Sequence, residues 1–241
     1  MKGLTLLYYT ANRISYAFMH MIRAELPSTV VVQDQEAPAE VVASFPPIVT
    51  VTQKPDQWGQ NICVGPIGAS IYNCYRQILI GAQAATTPYV ACIEDDTLYV
   101  PEHFAHRPTA DDVITYNRNR WVLCADGTFY FRARTQMAMC LAPRALLIET
   151  LEERFRRWPE PITDEAAKAA GWGEPGRYER HMGLTPRRRE YFTTAQPCVT
   201  VNHQRGLMGV RKGQPTDTVV RTLEPWGDGA ALWARLVGKD R

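Results

Sequence analysis

The chain has 241 residues, 45% of them apolar and 22% charged, with a formal net charge of +2. That composition belongs to an ordinary globular protein with a sizeable core; it argues against a fibrous or low-complexity chain and supplies no global basic field that would draw nucleic acid. No run reaches the ~20 apolar residues of a membrane-spanning helix, and the opening MKGLTLLYYTANR has too short an apolar stretch and no small-residue cleavage site for a signal peptide, so a cytoplasmic protein is expected.

Taken in chain order, GLTLLYY at 3–9 reads as a buried strand, and NRISYAFMHMIRAE at 12–25 as a helix with Ile14, Phe18, Met21 and Ile22 at helical spacing. TVVVQ (29–33) and PIVTVT (47–52) read as strands, 68–85 as a helix and YVACIE (89–94) as the next strand. Alternating strands and helices predict an α/β fold around a doubly wound, mainly parallel sheet. The second half predicts short strands in DVITYNR, RWVLC and GTFYFRAR, a strong helix over 144–158, an irregular polar stretch, a strand in VTVNH (199–203) and a terminal helix. The expected organisation is a ligand-binding half, 1–104, and a smaller mixed half, 105–241, of one domain. The six cysteines (Cys63, Cys74, Cys92, Cys124, Cys140, Cys198) have no CxxC pair or metal-type spacing, and several sit in apolar runs where Cys acts as a small hydrophobe.

The chemistry is concentrated at VACIEDDTLYVP. Glu94, Asp95 and Asp96 follow directly on an apolar strand, and charge is costly there unless it is paired or bound. Open α/β sheets bind ligands at the carboxyl ends of their strands. Hard carboxylate oxygens at such an end suit Mg²⁺ or Mn²⁺, which complete their shells with water and substrate phosphates. The plainer reading is an acidic turn or helix cap.

Three further features accompany this motif. LLYYTANR ends the first strand in Thr10, Asn12 and Arg13; Pro101 stands five residues past Asp96; and His203 lies just past the last strand. With these, residues 3–104 resemble the nucleotide-sugar glycosyltransferases of the GT-A fold, especially the inverting family of polysaccharide and lipopolysaccharide transferases. Glu94 replaces the first Asp of that family's Asp-x-Asp motif. The resemblance implies a nucleoside-diphosphate-sugar donor held by Thr10, Asn12, Arg13, Glu94 and Asp95, assisted by Arg76 or Gln77. It also implies Mn²⁺ or Mg²⁺ on Asp96 and His203 with Glu94 nearby, and Glu179 or Glu174 as catalytic base.

The basic residues are 22 Arg against 5 Lys. They cluster as RNR (118–120), FRAR (131–134), RFRR (154–157) and PRRR (186–189), among aromatic residues such as Tyr178, Tyr191 and Phe192. Arginines engage phosphates and aromatics stack on unpaired bases. The acceptor expected on Arg132, Arg134, Arg187, Arg188 and Arg189 is therefore DNA carrying hydroxymethylated bases, as for phage-type DNA glycosyltransferases, which flip such bases out. Other readings are a glycan or lipopolysaccharide acceptor, a nucleotidyltransferase making a nucleotide-sugar, and a non-catalytic nucleic-acid-binding module. Against the nucleotidyltransferase stands YYTANRIS, which lacks the glycine-rich loop expected after the first strand.

Overall fold

Strand β1 (Leu4–Thr10) is the axis of the fold, and all seven of its residues are buried. The computed structural model describes residues 3–26, 45–203 and 218–237; the strand expected at 29–33 lies outside them. Side chains of β1 alternate between two cores, Leu7 and Tyr9 on one face and Leu4, Leu6 and Tyr8 on the other. Burial of both faces is what a doubly wound sheet requires, and it explains why the strand reads as a continuous apolar run.

After α1 (Tyr16–Ala24), capped by the Ser15 hydroxyl accepting from the Phe18 amide, come β2 (Ile48–Thr52) and β3 (Gln60–Cys63). Cys63 is exposed at the end of β3. Helix α2 (Ile71–Ala84) begins at a Ser70 cap and packs tightly on the sheet: a Cβ added at Gly81 would lie 2.9 Å from Leu7 and 3.0 Å from Val51. Then follow β4 (Tyr89–Ile93), β5 (Thr97–Leu98) and α3 (Pro101–Ala105). Next are β6 (Val113–Asn117), β7 (Arg120–Leu123), β8 (Phe129–Phe131), β9 (Cys140–Pro143), α4 (Arg144–Arg157) and α5 (Asp164–Ala169). The chain continues through β10 (Arg188–Phe192), β11 (Cys198–Val201), β12 (Val219–Val220), the small β13 (Thr222–Leu223) and β14 (Gly227–Asp228) pair, and α6 (Gly229–Val237).

The main sheet has seven strands in the order β10-β6-β9-β4-β1-β2-β3. β1 pairs in parallel with β2 and β4, β2 with β3 and β10 with β6; only β9, between β4 and β6, runs antiparallel. Both halves of the chain thus contribute to one sheet. A second, mixed sheet, β12-β8-β7-β11-β5, stands beside it. Helices α2 and α4 cover one face of the main sheet, with Ile78, Ala82, Leu147 and Leu151 buried against it. Each fully buried Ile or Leu side chain of this kind contributes about 1.5–3 kcal/mol. On the second sheet, α1 and α6 close a third core through Phe18, Ile22, Leu232 and Leu236. No helix among the described residues is long and apolar enough to cross a membrane.

Candidate active site

A cleft of about 940 Å³ opens at the carboxyl ends of β1 and β4, between the two sheets. Its inner wall carries the acidic triplet. Glu94 accepts from the Tyr9 hydroxyl at 2.6 Å and the Gln136 amide at 3.3 Å, while its backbone N–H donates to the Tyr99 hydroxyl at 3.0 Å. Asp95 accepts a short hydrogen bond from the Thr10 hydroxyl. Asp96 accepts from the Thr97 hydroxyl at 3.1 Å and faces His203 Nε2 at 3.4 Å.

Three adjacent carboxylates in a partly dry site oppose one another's ionisation. Desolvation, reinforced by the charge of Asp96, pushes the Glu94 carboxyl up to about 8 and that of Asp95 up to about 6. Burial acts to lower the His203 imidazole, but Asp96 and Asp95 outweigh it, so the ring is held above its ordinary value. Arg120, almost wholly buried, comes down to about 10 through burial and the neighbouring charge of Arg132. Its Nη1 donates to the Thr200 hydroxyl at 3.3 Å, while its Nε has no hydrogen-bond partner.

The structure separates the residues selected from the sequence. Thr10, Arg13, Gln77, Glu94, Asp95, Asp96, Arg132, Arg134, Glu174, Arg189 and His203 all line the cleft. Asn12, in the left-handed region at φ 52°, uses its side-chain carbonyl to accept from the Gln53 and Lys54 backbone N–H groups at 2.7 and 3.0 Å. It thereby ties the end of β1 to the end of β2. The Gln77 amide does related work, donating to the carbonyls of Thr10 and Val51 at 2.9 and 2.8 Å. Arg76 lies on the exposed face of α2, away from the cleft. Glu179 is buried elsewhere, 2.5 Å from Arg154, whose other nitrogen donates to the Gly173 carbonyl at 2.7 Å. Of the two carboxylates expected as base, only Glu174 faces the cleft, with Arg177 at 3.5 Å. Tyr9, Gln136, Arg118 and Tyr191 join the lining without having been selected as site residues; each comes from a segment whose direction depends on strand pairing invisible in the sequence.

Two expectations are corrected. The first is the Mn²⁺ or Mg²⁺ centre on Glu94, Asp96 and His203: among the described residues no three His, Cys, Asp or Glu side chains form a group able to hold a metal ion. The physical reason is divergence, for Glu94 turns to Tyr9 and Gln136, Asp95 to Thr10 and Asp96 to His203. The second is the DNA track on Arg187, Arg188 and Arg189, and with it the phage-type DNA-modification reading. Arg187 pairs with Glu149 and Glu153 at 3.1 and 2.9 Å, and Arg188 with Asp112 at 2.9 Å. Strand alternation then turns Arg189 to the opposite side, into the cleft. The three do not form one basic surface.

No family model matches the chain, and no curated protein does. Among solved structures, it superposes on a nucleotidyl transferase from Methanothermobacter thermautotroptrophicus with a TM-score of 0.41 at 13% identity, over 81% of this chain and 88% of that one. A CMP:2-keto-3-deoxy-manno-octonic acid synthetase complexed with CTP gives 0.40 at 9% identity, over 83% and 92%. The bifunctional IspDF from Campylobacter jejuni gives 0.41 at 14% identity, over 80% of this chain and 50% of that chain. Likenesses at this level establish neither a shared family nor a shared activity. The site's own geometry defines a class no finer than an α/β protein with a charged cleft at the carboxyl edge of its sheet.

Proposed function

We propose that the protein is a nucleotide-processing transferase that holds the phosphates of an activated nucleotide in this cleft. The observation that carries the reading is the lining: seven arginines (Arg13, Arg118, Arg120, Arg132, Arg134, Arg177, Arg189) face four carboxylates (Glu94, Asp95, Asp96, Glu174) among the described residues, at the edge of the sheet where α/β folds bind ligands. Arg13, Arg120 and His203, on the inner side, would neutralise the charge that develops on a departing phosphate group. In sugar transfer Glu174, which lines the cleft, would take the proton from an attacking hydroxyl.

Two reactions use such a site. In sugar transfer, an acceptor hydroxyl attacks the anomeric carbon, the bond from that carbon to the phosphate oxygen breaks, the nucleoside diphosphate leaves and the hydroxyl proton passes to Glu174. In nucleotidyl transfer, a phosphate oxygen of a sugar phosphate attacks the α-phosphorus of a nucleoside triphosphate and pyrophosphate leaves. The second reading is favoured by the surplus of arginines over those on the inner side, since it brings a second phosphate into the cleft.

Incubation with nucleoside-diphosphate sugars, and separately with nucleoside triphosphates plus sugar phosphates, separates them. Release of nucleoside diphosphate marks the first reaction and pyrophosphate the second. Arg120→Gln is expected to lower kcat/KM at least about 100-fold in either, because it removes a buried cation from the reacting phosphate. Absence of nucleotide binding across uridine, cytidine, guanosine and adenosine phosphates would refute the proposal.

A further inference from the structure

The arginines of the cleft differ in what they already hold. Arg177 has Glu174 at 3.5 Å, and outside the cleft Arg154, Arg187 and Arg188 have carboxylate partners. Arg118, Arg134 and Arg189 have no acidic partner among the described residues, and Arg189 Nη1 is a buried atom without a hydrogen-bond partner.

Two of these, Arg118 and Arg189, gather around one ring, and Arg134 lines the same cleft. The guanidinium groups of Arg118 and Arg189 lie 5.0 and 5.5 Å from the centre of Tyr191, which is 42% exposed. Thr135, next to Arg134, places its hydroxyl 3.4 Å from that of Tyr191. β10 sets this arrangement: Arg188 and Glu190 pair with each other at 3.4 Å along the strand, while Arg189 and Tyr191, on the alternate positions, line the cleft. Gly176 lets the adjoining loop approach, since a Cβ there would stand 2.9 Å from the Cβ of Arg189, and its φ of 83° is one that L side chains rarely adopt. Like charges held together around an aromatic ring are electrostatically unfavourable without an anion, even though each gains from the π face.

We infer that Arg118 and Arg189, around Tyr191, together with Arg134 in the same cleft lining, form a second anion station that takes the phosphomonoester of the second substrate. The inference rests on the transferase reading in naming the second substrate's class; the station itself stands on the geometry of Tyr191 and its arginines. A phosphomonoester carries about −1.5 to −2 charges and three acceptor oxygens, which suits several planar guanidinium forks better than a single carboxylate does. In nucleotidyl transfer the phosphate held there is itself the nucleophile, and the station presents one of its oxygens toward the α-phosphorus of the nucleotide.

The experiment pairs a crystal soak in tungstate, a heavy phosphate analogue, with calorimetric titration of inorganic phosphate into the full chain, both with and without a saturating nucleoside diphosphate. An anomalous peak between Arg118 and Arg189 is expected, together with phosphate binding that survives nucleotide saturation. Arg118→Gln/Arg189→Gln should weaken that binding at least about tenfold while nucleotide affinity stays within about twofold. Tungstate found elsewhere, phosphate fully displaced by nucleotide, or unchanged phosphate affinity in the double variant overturns the inference while leaving the transferase reading intact. Binding of a single-stranded oligonucleotide about 100-fold tighter than phosphate also overturns it, in favour of a polymer track. Tungstate and phosphate bound at the three arginines in a protein that binds no nucleotide would instead refute the transferase reading and keep the station.

Discussion

Two of the places where charge is buried among the described residues are built on opposite principles. Behind the main sheet, Arg154 and Glu179 are a closed pair: 2.5 Å apart, almost free of solvent, with Arg154 also bonded to the Gly173 carbonyl and its guanidinium 5.1 Å from the centre of Tyr75. At the end of β4, Glu94, Asp95 and Asp96 crowd like charges together, answer them mainly with hydroxyls and an imidazole, and leave one side open to the cleft. The first arrangement pairs its opposite charges with each other, with only the Arg154 Nε left without a hydrogen-bond partner, and turns no carboxylate to the cleft. The second keeps its electrostatics unresolved, and only a bound molecule or a proton can settle them.

The largest effect should come from opening the closed pair. Glu179→Ala strands a buried guanidinium and is expected to cost about 3–5 kcal/mol in urea denaturation, with no separate effect on nucleotide affinity in the folded fraction. A loss below about 1 kcal/mol would mean that the pair is not structural.

The acidic wall should respond to pH instead. Because Glu94 is held at about 8, against an ordinary value of 4.5, the folded state binds more protons than the unfolded one between those limits. Stability should therefore fall as pH rises from about 4.5 to 8. Glu94→Gln should match the wild type near pH 5 and exceed it by about 2 kcal/mol at pH 8, the open side of the cleft screening the remainder. The residual decline from Asp95 should then be confined below about pH 6. Thermal melts of both proteins across this range check the sign, and parallel curves would show that Glu94 is ionised throughout.

Surface pairs provide the lower limit of the comparison. Arg188 and Asp112 lie 2.9 Å apart but are both well exposed, so Arg188→Ala should change stability by less than about 1 kcal/mol, and by less still in high salt.

How much of this was legible before the structure depended on whether the signal was local. β1, β4, α2 and α4 are announced by apolar runs or helical spacing because both faces of the sheet, or one face of the helix, are buried. β3, Gln60–Cys63, is a partly exposed edge strand without an apolar pattern and was not expected. Nor was β9, Cys140–Pro143, whose antiparallel place between β4 and β6 is set by partners distant in sequence. At the site, the acidic triplet, Thr10 and His203 could be selected because each ends a strand. The direction of each carboxylate could not, and that direction disposed of the metal centre. PRRR misled for a related reason: a run of three like charges looks like one surface, but alternation along β10 sends Arg188 and Arg189 to opposite sides, and Arg187, before the strand, pairs with Glu149 and Glu153. The burial of Glu179 away from the cleft was not legible, because its partner, Arg154, lies on a helix 25 residues earlier.

The exposed thiol at the end of β3 has a practical consequence. Cys92, Cys140 and Cys198 are buried and Cys74 and Cys124 only partly accessible, which leaves Cys63 as the exposed sulfur among the described residues. The segment that follows it runs through Gly65 and Gly68 to the cleft-lining residues Ala69 and Ser70. A maleimide fluorophore attached there would attach to the native sequence without an engineered cysteine, and would report occupancy of the cleft as a change in emission.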